Sequence, residues 1–141
     1  MRIRGLLLAV TLVCAACASS AKEADTSTEG WASEIVAYKK AVSETHGIVG
    51  YVKVFEYQKP GHGPNFKLYH VYDLDFKERG IVTERGTATK FVYLPAEVAR
   101  VRGMTLERVE LPAQPLEWNT AQILETPTDL TIVEARAEDL K

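Results

Sequence analysis

The chain has 141 residues, of which 46% are hydrophobic and 26% are charged, values typical of a globular protein and not of a disordered or collagen-like chain. This length suits one compact domain, and it is too short for a two-domain dinucleotide-dependent enzyme or a full strand–helix barrel. The formal net charge is −2, from 17 basic and 19 acidic side chains. Nucleic acid is therefore not an expected partner, because its binding depends on clustered Lys and Arg.

The N-terminus has the three-part layout of a secretory signal peptide. Arg2 and Arg4 precede an uncharged run from Gly5 to Ala18, and small polar residues follow it. The run is shorter than the roughly 20 residues that a helix needs to cross a bilayer. The segment therefore predicts export and cleavage, and not a permanent membrane span.

The end of this segment, Ala15-Ala16-Cys17, resembles the cleavage site of a bacterial lipoprotein, although Cys14 stands where such signals carry Leu, Val or Ile. The resemblance covers only the N-terminal segment. It implies that residues 1–17 include a signal peptide, that Cys17 becomes the lipidated N-terminus, and that the protein is anchored to a membrane in the cell envelope. Ordinary cleavage after Ala18, which would release a soluble secreted protein, is the alternative.

The mature chain differs from the precursor in charge and in cysteine content. Counting from Ala18 removes two arginines and leaves 15 basic against 19 acidic side chains, a net charge of −4. Both cysteines lie within the first 17 residues, so no thiol remains for a disulfide, a nucleophile or a thiolate metal site. Residues 18–30 contain no large apolar side chain and are expected to be a flexible tether to a single domain over residues 31–141.

The domain is expected to begin with a helix. Trp31, Ile35, Tyr38 and Val42 recur at intervals of four, three and four residues, which is one stripe of an amphipathic helix, and Gly47 would end that helix.

The sequence after Gly47 indicates β structure. Strands are predicted at 48–57, 67–76, 81–83, 87–94 and 105–111, with a helical turn opened by Pro95. Gly80 and Gly86, each at the end of a Glu-Arg-Gly tripeptide, are expected in tight turns. Residues 126–141 fit a strand or a helix, and a strand near 130–133 with a short helical end is favoured. Together these elements predict an α+β fold, with an N-terminal helix packed on a mostly antiparallel sheet of five or more strands.

No metal or cofactor site is expected. Asp73, Asp75 and Glu84 have the spacing of a calcium-binding loop, but Lys77 and Glu78 occupy positions that need an oxygen ligand and a glycine. His46 suits the end of the predicted helix, and His62 lies in a Gly-Pro loop. His70 is predicted on a strand face as a partly buried, hydrogen-bonded histidine rather than a metal ligand.

The chain carries no recognisable catalytic motif: it has no nucleophile elbow, no Ser-x-x-Lys, no phosphate-binding glycine loop and no paired-histidine zinc helix. A non-catalytic protein is therefore favoured. The alternative is a small secreted hydrolase or ligand carrier that uses His70, His62 and Asp73.

Aromatic residues are concentrated in the first two predicted strands. Seven of the twelve lie between residues 51 and 76, and they could form a surface that stacks a sugar or holds an extended peptide. The candidate binding face consists of Tyr51, Lys53, Phe55, Tyr57, Tyr69, His70 and Tyr72. The alternative is that these rings form the core beneath the helix. The sequence thus favours a lipid-anchored envelope protein with a small domain that binds a protein, a peptide or a glycan.

Overall fold

The computed structural model describes residues 30–140, so the predicted signal peptide, Cys17 and most of the predicted tether lie outside the described residues. The described chain is mainly a seven-stranded sheet with spatial order β6-β5-β4-β3-β2-β1-β7. The strands are β1 (Ala32–Ser43), β2 (Gly47–Gln58), β3 (Phe66–Tyr72), β4 (Glu78–Thr83), β5 (Ala88–Tyr93), β6 (Leu106–Leu111) and β7 (Leu130–Glu134). Each pair from β2–β3 to β5–β6 is antiparallel, and so is β1–β7.

Two short α-helices interrupt the strands. Helix α1 (Ala96–Arg102) joins β5 to β6, and none of its residues is buried. Helix α2 (Leu116–Leu124) lies between β6 and β7 and buries four residues, including Ile123. A 3₁₀ helix, Ala137–Leu140, follows β7.

The predicted α+β fold with an N-terminal helix is wrong. The residues assigned to that helix form β1, a twelve-residue strand between β2 and β7. Two of the stripe residues, Ile35 and Tyr38, have opposite parity along the strand and therefore point to opposite faces of the sheet. The segment is rich in β-branched and aromatic residues and pairs with β2 across the short turn at residues 44–46 and with the distant β7, and this strand pairing overrides its helical spacing.

The core lies between the sheet and α2. Val52 and Val54 of β2, Val71 of β3 and Val82 of β4 are buried against Ile123 of α2. Glycine allows this close approach at Gly80, where an added Cβ would lie 2.6 Å from the Thr89 carbonyl oxygen and 2.9 Å from Ile123 Cδ1. The turn predicted at Gly80 is thus wrong, because this glycine lies within β4 and makes room for the helix.

Candidate functional site

The sheet has one face that packs against α2 and a second face whose side chains point away from α2. Because Val52 and Val54 point toward α2, the odd-numbered residues of β2 beyond Gly50 point to the other side. Their partners across β3 follow the same alternation, since Lys53 is paired with His70 and Phe55 with Leu68. We call this second surface the open face.

Six of the seven predicted binding-face residues lie together on the open face. They are Tyr51, Lys53, Phe55 and Tyr57 of β2 and His70 and Tyr72 of β3. The exception is Tyr69, which is paired with Val54 and packs against the buried core on the side of α2. A one-residue step along β3 therefore separates a core tyrosine from the residues of the candidate site.

The structure adds open-face residues that the sequence did not identify as part of a site. Phe66 extends the surface along β3, and Phe91 and Tyr93 extend it onto β5. Glu78 enters from β4, opposite Tyr72 and beside an irregularity in the pairing. Phe91 and Tyr93 share parity along β5, and the strand order places β5 one strand away from β3, with β4 between them.

The aromatic rings form two stacked pairs toward the two ends of β2. Tyr51 stacks on Phe76, with ring centroids 5.1 Å apart, and Tyr57 stacks on Phe66 at 5.2 Å. Phe76 is 38% exposed, whereas Tyr57 is buried by its aromatic neighbours. The first pair therefore presents ring surface to solvent, while the second is largely packed.

A histidine–glutamate pair lies between these stacks. His70 Nδ1 lies 2.8 Å from Glu78 Oε2, and the His70 ring contacts the Phe55 ring at a centroid distance of 4.4 Å. The other ring nitrogen, Nε2, is buried and has no hydrogen-bond partner within residues 30–140. A general base must reach its substrate, so this geometry does not favour His70 as a catalytic base.

Two phenols face the same carboxylate. Burial, together with the nearby Glu78 and Tyr57, raises the pKa of Tyr72 to about 12. Burial and Glu78 also raise the pKa of Tyr57. Both phenols therefore stay protonated at neutral pH and can donate hydrogen bonds.

Two lysines lie over aromatic rings of this region. Lys53 Nζ is 4.9 Å from the centre of the Tyr72 ring, and Lys77 Nζ is 3.8 Å from the centre of the Tyr93 ring. The Tyr93 hydroxyl in turn donates to the Glu78 carbonyl oxygen at 2.8 Å. Within the described part of the chain, neither lysine forms an ion pair with a carboxylate.

The loop between β3 and β4 holds Phe76 in place. Asp73 Oδ1 accepts the backbone N–H groups of Asp75 and Lys77 at 2.9 and 3.0 Å, and Asp73 Oδ2 accepts from Arg79 at 3.2 Å. Burial alone would raise the pKa of Asp73, but these hydrogen bonds outweigh it and lower the pKa. Phe76 adopts a left-handed conformation, with φ +62°, which is strained for an aromatic residue.

The three residues of the alternative hydrolase or carrier site, His70, His62 and Asp73, have different partners and surroundings. The carboxylate bound to His70 belongs to Glu78, while Asp73 is engaged with Arg79 and the loop amides. His62 is exposed in the loop between β2 and β3. A cleft of about 270 Å³ lies beside the turn from β4 to β5, and its lining includes Tyr69 and Gln114 but not these three residues.

The candidate calcium ligands are also separately engaged. Glu84 Oε1 accepts the Lys67 backbone N–H at 3.0 Å, while Asp73 organises its own loop. Among residues 30–140 no group of three or more His, Cys, Asp or Glu side chains is arranged to hold a metal ion.

A second polar cluster combines a serine, a histidine and an aspartate, but not in the order of a catalytic triad. Ser43 Oγ donates directly to Asp129 at 3.0 Å, and Thr45 also donates to this carboxylate. His46 Nδ1 contacts the two hydroxyl groups at 3.4 and 2.8 Å. Burial opposes ionisation of Asp129, but the hydrogen bonds from Ser43 and Thr45 lower its pKa. The cluster fastens the turn between β1 and β2 to the start of β7, so His46 ends no helix.

Comparison with known proteins adds no relative: no protein-family model, no curated protein and no solved structure matches this chain. Neither of the two described α-helices is long and apolar enough to cross a membrane.

Proposed function

We propose that this protein is a non-catalytic binding protein of the cell envelope, attached to a membrane through a lipid on Cys17. Its ligand binds to the open face. The observation that carries this proposal is the gathering of Tyr51, Phe55 and Tyr57 with Lys53 and His70 on a sheet face that α2 leaves uncovered. Large aromatic side chains beside polar groups are the usual composition of a binding surface.

The shape of the open face favours an extended ligand. Its own side chains fill the surface, since Tyr57 and Phe91 are buried although they point away from α2. The cleft beside the turn from β4 to β5 lies elsewhere. A small molecule carried in solution needs an enclosing cavity, whereas a chain-like ligand can lie along a row of rings.

Photocrosslinking tests this proposal without assuming a class of ligand. A photoreactive phenylalanine analogue replaces Phe76 on the open face, and in a matched variant it replaces Trp118, which is 51% exposed on α2. We expect irradiation of producing cells to give a heavier adduct from position 76 and none from position 118. Equal labelling at both positions, or none at either, would contradict a ligand site on the open face.

The lipid anchor has a separate test. Cys17→Ser removes the thiol that would carry the lipid, and we expect the variant to leave the membrane fraction that contains the parent. Intact mass of the parent should show acyl groups on the N-terminal cysteine. Identical partitioning of the two proteins, with an unacylated parent, would exclude lipid attachment and leave ordinary secretion.

A further inference from the structure

The chemistry of the open face narrows the class of ligand, in an argument that rests on the proposed function. An extended peptide commonly binds a sheet by adding a strand, which requires unpaired main-chain groups at an edge. Strands β2, β3, β4 and β5 each have a neighbour on both sides, and the edges of the sheet are β6 and β7. The open face therefore offers a ligand side chains and not free backbone.

The exposed stack of Tyr51 and Phe76 is suited to a flat apolar surface. Its rings are inclined by only 23° and overlap at a centroid distance of 5.1 Å, so the outer ring surface of Phe76, which is 38% exposed, serves as a platform beside the Asp73–Lys77 loop. Phe76 presents this platform from a left-handed backbone conformation, fixed by the hydrogen bonds of Asp73. A strained aromatic residue that remains exposed contributes little to the core, so the strain is better explained by a surface function. The apolar face of a sugar ring matches such a platform.

The charged side chains of the open face provide a second constraint on the class of ligand. Lys53 and Lys77 are held over the Tyr72 and Tyr93 rings, and within the described residues neither forms an ion pair with a carboxylate. The Arg79 charge is neutralised by Asp73, and Glu78 accompanies His70. This part of the face therefore carries two ammonium groups that pair with no carboxylate among the described residues, in a mature chain whose net charge is −4. Such a site complements an anion.

We infer that the open face binds an acidic glycan, a chain of sugar rings that carry carboxylate groups. A sugar ring stacks on the exposed ring of Phe76, which itself stacks on Tyr51, and Lys53 and Lys77 bind carboxylates of the chain. The phenol of Tyr72, which remains protonated, supplies a hydrogen-bond donor for a hydroxyl group of the chain.

Calorimetric titration of the full chain, purified from the cells that export it, tests this inference with three probes. They are a short oligomer of galacturonic acid, a neutral galactose oligomer of the same length, and polyglutamate of the same charge. We expect the acidic glycan to bind at least about tenfold more tightly than either control, with an affinity that falls as salt is added. Equal binding of polyglutamate would show that negative charge alone is sufficient for binding. Equal binding of the neutral glycan would show that the carboxylates of the ligand do not contribute to affinity. Either result would overturn the inference.

The decisive variant is Phe76→Gly. Glycine adopts the left-handed conformation without strain, so relief of strain offsets the lost ring contact and the denaturation midpoint should stay near that of the parent. Affinity for the acidic glycan should nevertheless fall by about tenfold or more. Lys53→Gln should weaken binding and reduce its salt dependence, while Trp118→Ala on α2 should change neither. Unchanged affinity in Phe76→Gly would overturn the inference.

Failure of this inference is distinguishable from failure of the proposed function. A crosslinked adduct at position 76, together with no binding of the acidic glycan, would reject the acidic glycan and keep a ligand site on the open face. Absence of both the adduct and the binding would reject both proposals.

Discussion

Two tyrosines on neighbouring strands provide the clearest test of which sheet face is core. Tyr69→Ala removes a ring that packs against the cluster of Val52, Val71 and Ile123, whereas Tyr51→Ala removes a ring of the open face. Complete loss of a buried aromatic ring costs about 3–5 kcal/mol. Because Tyr69 is only partly buried, we expect Tyr69→Ala to lower the free energy of unfolding by about 2–3 kcal/mol.

The loss of unfolding free energy should be smaller for Tyr51→Ala than for Tyr69→Ala. Its main described contact is the stack on Phe76, and an aromatic pair contributes about 0.5–1.5 kcal/mol. We therefore expect Tyr51→Ala to lower the free energy of unfolding by about 1 kcal/mol. Urea denaturation curves with unchanged slopes provide the measurement. Equal losses in the two variants, or a larger loss at Tyr51, would refute the assignment of the α2 side as core and the other side as open.

Three further predictions concern packing and ionisation. Gly80→Ala should cost more than about 2 kcal/mol, because its Cβ would meet the Thr89 carbonyl oxygen at 2.6 Å; a neutral effect in thermal melts would contradict the close approach of α2. Since the pKa of Tyr72 is raised to about 12 in the folded protein, the unfolded chain loses this proton first, so stability should fall as pH rises from about 10 toward 12. Tyr72→Phe should reduce this step in alkaline melts and leave the contribution of Tyr57, and an unchanged step in Tyr72→Phe would contradict the assignment. Because the folded pKa of Asp73 is lowered, its stabilisation is complete above the unfolded value of about 3.9 and is lost as pH falls through the folded value. Asp73→Asn should therefore reduce the acid sensitivity of unfolding, and identical acid profiles for variant and parent would contradict this role.

The sequence predicted the strands well where alternation and β-branched residues coincide. The segment from Ile48 to Tyr57 forms most of β2, and residues 87–94 contain β5. The first segment failed because Trp31, Ile35, Tyr38 and Val42 fit a helical stripe, while the partners that make it a strand lie on β2 and β7. The pairing with β7, which sets Lys39 opposite Glu134, leaves no local signal in the segment.

Helix α2 was missed for a different reason. Its buried residues include Asn119 and Thr120, so its inner face lacks the large apolar stripe that marks an amphipathic helix. Asn119 Nδ2 instead donates to the Gly86 carbonyl oxygen and fastens the helix to the turn from β4 to β5. A signal was nevertheless present, because Pro115 opens α2 in the way that Pro95 opens α1.

The candidate site could be predicted in part because a strand face follows from residue parity. Tyr51, Phe55 and Tyr57 share parity, and the sequence alone placed Lys53 among them. The contribution of Glu78 could not be foreseen, since it depends on the irregular pairing of β3 with β4 that sets Glu78 opposite Tyr72. The stack of Phe76 on Tyr51 could not be foreseen either. It depends on the left-handed backbone conformation of Phe76, which aromatic residues rarely adopt.

The most direct test of the central claim is a map of the binding surface in solution. Backbone amide resonances of the isotope-labelled full chain are followed by NMR as the galacturonic acid oligomer is added. The account predicts that shifts concentrate in β2, in β3 and in the Asp73–Lys77 loop, with α2 unaffected. Shifts centred on α2, on the edge strands β6 and β7 or on the cleft beside the turn from β4 to β5 would contradict it.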